Sequence, residues 1–246
     1  MSFLSFYNDH HGAGGEALLK TIRSGDWEQA DFTARTDPLH VRWKVNIPGF
    51  YDGKQAAKVY PLHLACINKP NPKFITTLHS ICPKAGMSAD SAYKRTPLHL
   101  ACMYSAPPES VALLIKLSSG AVKKKDGLGR LPIHYAAKNP KLENSIAVLL
   151  KAYPGSAKVA DKQGFLPIHV ACRCGMSVSV IRMLIRSAPK TLKMKTKKGS
   201  TPLMCAKLMK GPHKEEVLGL LMRATASGGV DLADDTGTNS DSLSDI

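Results

Sequence analysis

TPLHLAC, residues 96–102, decides the fold, because the chain carries the same phrase five times. YPLHLAC begins at Tyr60, LPIHYAA at Leu131, LPIHVAC at Leu166, and a degraded TPLMCAK at Thr201. Their prolines, Pro61, Pro97, Pro132, Pro167 and Pro202, are spaced by 36, 35, 35 and 35 residues. A fixed period of this length marks stacked supersecondary units that share one core. The period also bears on His63, His99, His134 and His169. A catalytic base is needed once, whereas four copies in register each serve their own unit. Nor can they share a metal ion. Neighbouring helices pack about 8–10 Å apart, while zinc draws each ligand atom to about 2.1 Å.

One unit shows the anatomy. Pro132 suits the first turn of a helix, where its missing N–H has no partner to lose, and a short helix is expected from Pro132 to about Lys138. NPKLE then forces a turn. Ile146, Leu149, Leu150 and Tyr153 follow at i, i+3, i+4 and i+7, the apolar stripe of a second helix. Pro154 ends it. The stripe recurs in register as Ile181, Leu184, Ile185 and Ala188, and as Val111, Leu114, Ile115 and Ser118. Ile75, Leu78 and Cys82 continue it, with His79 in an apolar slot, and in the last unit it slips by one to Val217, Leu220 and Leu221. Each unit is thus helix, turn, helix and a loop, and no unit can bury its stripe alone.

The chain resembles an ankyrin repeat protein. The phrase and its relatives carry the resemblance, together with a D-x-x-G before two of them, Asp126 with Gly129 and Asp161 with Gly164; Gly199 keeps the glycine of a third. It covers 61–223 and extends to 15–36, where ALLKTIRSGDWEQADFTART reads like the helix pair of an N-terminal repeat. It implies an all-α ankyrin solenoid of helix-turn-helix units with protruding hairpin loops, and repeats starting near 60, 96, 131, 166 and 201. It also implies that the histidines are structural, bonded near the helix start and to nearby backbone. Some positions depart from the pattern. Lys94 and Lys58 stand where a turn glycine is expected, so those turns should differ in shape, since lysine resists positive φ. Leu131 and Leu166 replace a threonine whose hydroxyl could cap the helix. Met204 replaces the histidine of the last unit, as expected of a terminal cap.

The remaining segments read differently. Residues 1–14 are expected to be flexible and 37–59 to form an extended hairpin. Within it, HVRWKV (40–45) alternates Val41, Trp43 and Val45 with Arg42 and Lys44, the period of a strand. Trp43 is expected to pack on the stack. Residues 224–246 hold five aspartates and no lysine or arginine, and are expected to be a disordered acidic tail. No secretory signal or membrane-spanning run is visible. The cysteines of the repeated phrase, Cys66, Cys102 and Cys172, read as small apolar core residues of a reduced, intracellular protein. Cys172 and Cys174 lie two apart and make a poor chelate.

Net charge is +15 and rises to +20 on residues 1–223. The loops 83–96, 119–131, 154–166 and 189–201 carry +2, +3, +1 and +5. No Ser/His/Asp order, carboxylate pair or phosphate-cradling GxxxxGK[ST] appears, so no enzyme activity, cofactor or metal is expected. The resemblance implies a non-catalytic scaffold or adaptor whose fingers and first helices line a concave surface. The variable positions there are Tyr93, Arg95, Met103 and Tyr104; Lys125, Leu128, Arg130 and Lys138; Lys162, Gln163, Phe165 and Arg173; and Lys195, Lys197 and Lys198. Their charge points to an acidic protein segment as partner. The alternative is a module for nucleic acid or an anionic membrane on the same face. The chain is expected to be a cytoplasmic monomer, with the nucleus open because KMKTKK (193–198) could serve as an import signal. Lys125, Lys162 and Lys197 are expected to form one row of equivalent finger tips.

Overall fold

The structure is a computed structural model that describes residues 13–227. Of the flexible start read for 1–14 and the disordered tail read for 224–246, residues 1–12 and 228–246 lie outside the described residues, while 13–14 and 224–226 lie in helices. Helices α1 (Ala13–Ser24) and α2 (Trp27–Thr36) open the chain. A single turn, α3 (Leu39–Arg42), leads to strands β1 (Val45–Tyr51) and β2 (Gln55–Val59). Five further helix pairs follow: α4 (Pro61–Ile67) with α5 (Pro72–Ile81), α6 (Pro97–Met103) with α7 (Pro108–Leu117), α8 (Pro132–Ala136) with α9 (Glu143–Ala152), α10 (Pro167–Cys174) with α11 (Val178–Ser187), and α12 (Pro202–Lys207) with α13 (Lys214–Ala226).

The pairs stack in two rows. First helices α1, α4, α6, α8, α10 and α12 pack successively on one another, and second helices α2, α5, α7, α9, α11 and α13 do the same. The stripes lie between the rows. Ile146, Leu149 and Leu150 are buried, as are Val111, Leu114 and Ile115, Ile181, Leu184 and Ile185, and Val217, Leu220 and Leu221. Each repeated proline occupies the first turn of its helix. After α5, α7, α9 and α11 the chain makes a 3-10 turn, starting at Pro83, Ser119, Pro154 and Pro189, before each next finger.

Several boundaries differ from the pattern-based reading. Of residues 40–45 only Val45 is in a strand. Pro38 and Leu39 start a helical turn, closed by Val41 N–H donating to the Pro38 carbonyl at 3.2 Å. Val41 is buried there, the His40 side chain is 13% exposed, and Trp43 is left 58% exposed instead of packing on the stack. Its ring meets the Lys84 ammonium, 5.9 Å from the centroid. The hairpin therefore begins at Val45. It carries a bulge between Ile47 and Tyr51, where Gly49 at φ +62° lies so near Gly53 that a Cβ would sit 2.9 Å from the Gly53 carbonyl oxygen. Helix α8 stops at Ala136, short of Lys138. At the other end α13 runs past residue 223, with Ala224 buried.

Candidate functional site: the face of fingers and first helices

The four repeated histidines each tie two units together. The Nδ1 of His63, His99, His134 and His169 accepts the backbone N–H of Tyr60, Thr96, Leu131 and Leu166 at 3.1–3.3 Å. That fixes the proton on Nε2, which donates to the carbonyls of Ser88, Arg130, Phe165 and Met194, each at 3.1 Å. The ring caps its own helix and holds the following finger. Leucine at 131 and 166 keeps this bond without a hydroxyl, because the ring takes the backbone N–H of the cap residue. In the last unit Thr201 Oγ1 accepts the Met204 N–H at 3.3 Å instead. Burial keeps the imidazoles neutral, pushing His63 and His99 down to about 4 and lowering His134 and His169.

The fingers, residues 90–96, 126–131, 161–166 and 196–201, are built on a buried acceptor. Asp126 Oδ1 accepts the N–H groups of Leu128 and Arg130 at 2.9 and 2.8 Å. Asp161 does the same for Gln163 and Phe165. Asp90 holds Ala92, Tyr93 and Arg95, and Thr196 Oγ1 holds Ser200. Successive fingers are then joined by backbone bonds. Ser91 N–H donates to Lys58 O, Gly127 to Tyr93 O, Lys162 to Leu128 O and Lys197 to Gln163 O, at 2.6–3.3 Å. The hairpin is the first member of this ladder, because Lys58 lies in β2 opposite Asn46 and not in a turn. Gly164 is demanded twice, by φ +81° and by Lys197 N, which would sit 2.9 Å from a Cβ. Lys94 takes the same left-handed region at φ +59°. Its finger differs by being one residue longer, not by avoiding positive φ.

A chain of aromatic and ionic contacts runs through the fingers. The Arg95 guanidinium lies 4.5, 5.0 and 5.3 Å from the ring centroids of Tyr93, Tyr51 and Tyr135. Its Nε donates to Tyr135 Oη at 3.2 Å and is 3.7 Å from Asp126 Oδ2. Tyr135 donates to Asp126 at 2.5 Å, and Tyr51 to Asp90 at 2.8 Å. One unit on, Arg130 Nε donates to Asp161 Oδ2 at 3.1 Å. Thus an arginine of one finger neutralises the aspartate of the next. The third step is apolar: Phe165 takes the arginine position, with the Arg173 guanidinium 5.7 Å from its centroid. Beside this step a cavity of about 130 Å³ opens between Arg130, Lys138, Arg173, Phe165, Val170 and Asp161.

The family model described as ankyrin repeats (3 copies) matches residues 62–159 and 133–231, together well over half of the chain. The chain belongs to the ankyrin-repeat family. Ankyrin repeats generally mediate protein–protein interactions and typically act as non-catalytic scaffolds. No curated protein matches the chain. Among the described residues no helix is long and apolar enough to cross a membrane.

On this ankyrin stack the variable positions divide. Tyr93 and Leu128 are exposed aromatic and apolar tips, 36% and 43% accessible. Lys125, Lys138, Lys162, Gln163, Arg173, Lys195, Lys197 and Lys198 are exposed; Met103, Tyr104, Arg130 and Phe165 are half-buried. Arg95 is not at the surface at all. It is 7% accessible, because three tyrosine rings enclose it. The expected row of Lys125, Lys162 and Lys197 is out of register. The ladder makes Gly127, Lys162 and Lys197 equivalent, whereas Lys125 precedes the buried Asp126 and matches Ala160 and Lys195. Pattern reading missed Tyr51 and Tyr135. Tyr135 stands where the phrase has Leu64, Leu100 and Val170, a hydroxyl in an apolar register position that signals a buried polar partner.

Proposed function

We propose that the chain is a non-catalytic adaptor that holds an acidic segment of a protein partner against its fingers and first helices. The observation that carries this is a surplus of unpaired cations on one face. Among the described residues, Lys125, Lys138, Lys162, Arg173, Lys195, Lys197 and Lys198 have no carboxylate within ion-pair distance. The aspartates of that face, Asp90, Asp126 and Asp161, are buried and committed to the fingers' own N–H groups. Exposed Tyr93 and Leu128 add apolar contacts between the charges. We place the protein in the cytoplasm as a monomer; its six free cysteines, five of them buried, support a reducing compartment.

The test is a charge reversal, Lys125→Glu, Lys162→Glu and Lys197→Glu together, which spans three successive fingers. Exposed substitutions of this kind shift stability by no more than about 0.5 kcal/mol each, so the variant should keep its helical content and melting behaviour. A partner captured by the wild-type chain from its source cells should associate with the variant at least roughly tenfold more slowly, with a flatter salt dependence. Capture of nucleic acid or anionic vesicles with a steep salt slope and no protein partner would favour the polyanion reading. An unchanged association rate at low salt would refute both.

A further inference from the structure

We infer that the cavity between Arg130, Lys138 and Arg173 is a binding site for a single compact oxyanion, a carboxylate or phosphoryl group on a peptide side chain with apolar neighbours. The inference deepens the reading above and rests on it only for the carrier of the anion. Three cations and one carboxylate line the space. That carboxylate is spent: Asp161 Oδ1 accepts two backbone N–H groups and Oδ2 accepts Arg130 Nε, with the side chain 2% exposed. Among the described residues neither Lys138 nor Arg173 has a carboxylate partner. His134, on the cavity wall, donates its only ring proton to Phe165 O and adds no charge. The cavity therefore holds two surplus positive charges.

Two of the three cations are also set in place. Arg130 is held at Nε by Asp161 and backed by the Tyr135 ring, 5.9 Å from its centroid. Arg173 lies over Phe165. Restrained guanidinium groups present their N–H forks to an oxyanion with little further ordering cost. The space, about 130 Å³, has room for such a group. Val170 creates the room, since the neighbouring unit fills the equivalent position with Tyr135.

The surroundings identify the carrier. At 35-residue spacing, Lys138 and Arg173 are flanked by Met103 on one side and Leu208 on the other, and Leu208 is 76% exposed. The arginine position of the fingers reads Arg95, Arg130, Phe165 and Ser200, with Arg95 enclosed. At these two register positions the cations span two units and are bounded by apolar residues, while Lys195, Lys197 and Lys198 continue the charge on the next finger. An extended peptide with one anionic side chain between apolar residues matches this pattern.

The test uses the full chain and two probes, N-acetyl-phosphoserine amide and N-acetyl-glutamate amide, followed by NMR of the arginine Nε–Hε resonances. Saturable shifts at Arg130 and Arg173 are expected. They should weaken at least about tenfold in Lys138→Met/Arg173→Met, and in Arg173→Gln alone should the double variant not fold. They should survive in Lys197→Glu, outside the cavity. Tighter binding of the phosphoserine probe assigns a phosphorylated side chain, and equal or tighter binding of the glutamate probe an acidic one. Shifts that do not saturate, or that persist in both cavity variants, overturn the site. The adaptor reading fails separately, if the finger-lysine variant above binds its partner at the wild-type rate.

Discussion

Lowering the pH from 7 to 5 should unfasten the fingers, and the magnitude follows from two histidines. In the folded chain burial holds His63 and His99 at about 4, while unfolded histidine titrates near 6.5. Below pH 6.5 the unfolded chain therefore takes up protons that the folded chain refuses. Stability is fully present above the unfolded value, falls as pH drops through the window from 6.5 to about 4, and levels off below it. Between pH 7 and 5 each of these groups withdraws about 2 kcal/mol, and the pair about 4 kcal/mol. His134 and His169 are lowered too and add in the same direction. Against a usual total of about 5–15 kcal/mol, the loss is large. Urea unfolding followed by far-UV circular dichroism at pH 7, 6 and 5 measures it. The variant His99→Gln, compared with itself across the same range, should lose about 2 kcal/mol less than wild type. A wild-type loss under about 1 kcal/mol from pH 7 to 5 would mean that the rings accept protons without breaking their bonds to the fingers, which would refute the reasoning.

Other substitutions separate the parts of the fold. Leu149→Ala, in the buried stripe of α9, should cost about 2–5 kcal/mol in urea unfolding and spread to neighbouring units; a loss under about 1 kcal/mol would show the stripe is not shared. Lys94→Gly should stabilise by about 1 kcal/mol, because φ +59° is strained for lysine. Gly164→Ala should destabilise by about 2 kcal/mol or more, since φ and Lys197 N both oppose a Cβ. Equal effects of these two would show that the finger backbones adjust freely. Arg95→Lys should cost about 2 kcal/mol by losing a guanidinium stacked between rings and bonded to Tyr135. Arg173→Gln, at an exposed position, should stay within about 0.5 kcal/mol. Thermal melting that ranks Arg173→Gln as the more damaging would place the buried cation wrongly.

The stack was legible because its signals are local and repeated. A proline in a first turn, a histidine three residues past the cap and an apolar stripe each follow from one helix, and a fixed period multiplies them. What was not legible arises between units. Nothing in residues 90–96 says that Arg95 is enclosed, because Tyr51 and Tyr135, which help enclose it, come from sequence about 40 residues away on either side. Lys125 precedes the residue that holds its finger whereas Lys162 and Lys197 follow theirs, a difference of two positions that the backbone bonds from Gly127, Lys162 and Lys197 define. Trp43 followed an apparent alternation that the turn at Pro38 breaks. The cavity depends on Val170 being smaller than its register partner Tyr135, a difference that has meaning only once the two units are stacked.

Arg95 and Arg130 occupy the same finger position, and their different fates explain where the binding face begins. Both pair with the aspartate of the following finger, Arg130 through a hydrogen bond and Arg95 at 3.7 Å while it donates to Tyr135. Arg95 is also covered on its other side, because the hairpin brings Tyr51 over it and Tyr51 packs edge-on against Tyr93 at 4.7 Å between centroids. That cation spends its charge and its N–H groups on joining the hairpin to the stack. Arg130 has no such cover; the equivalent of Tyr93 in its finger is Leu128, a residue that projects outward. Its guanidinium bonds Asp161 through Nε and lines the cavity together with Lys138 and Arg173. The N-terminal hairpin therefore consumes the first arginine for structure and shifts the free positive charge to the central and C-terminal units. Shortening the hairpin would take Tyr51 away from Arg95 and leave only Tyr93 and Tyr135 around a guanidinium set for three rings. The expected outcome is a loss of stability, not a longer binding face.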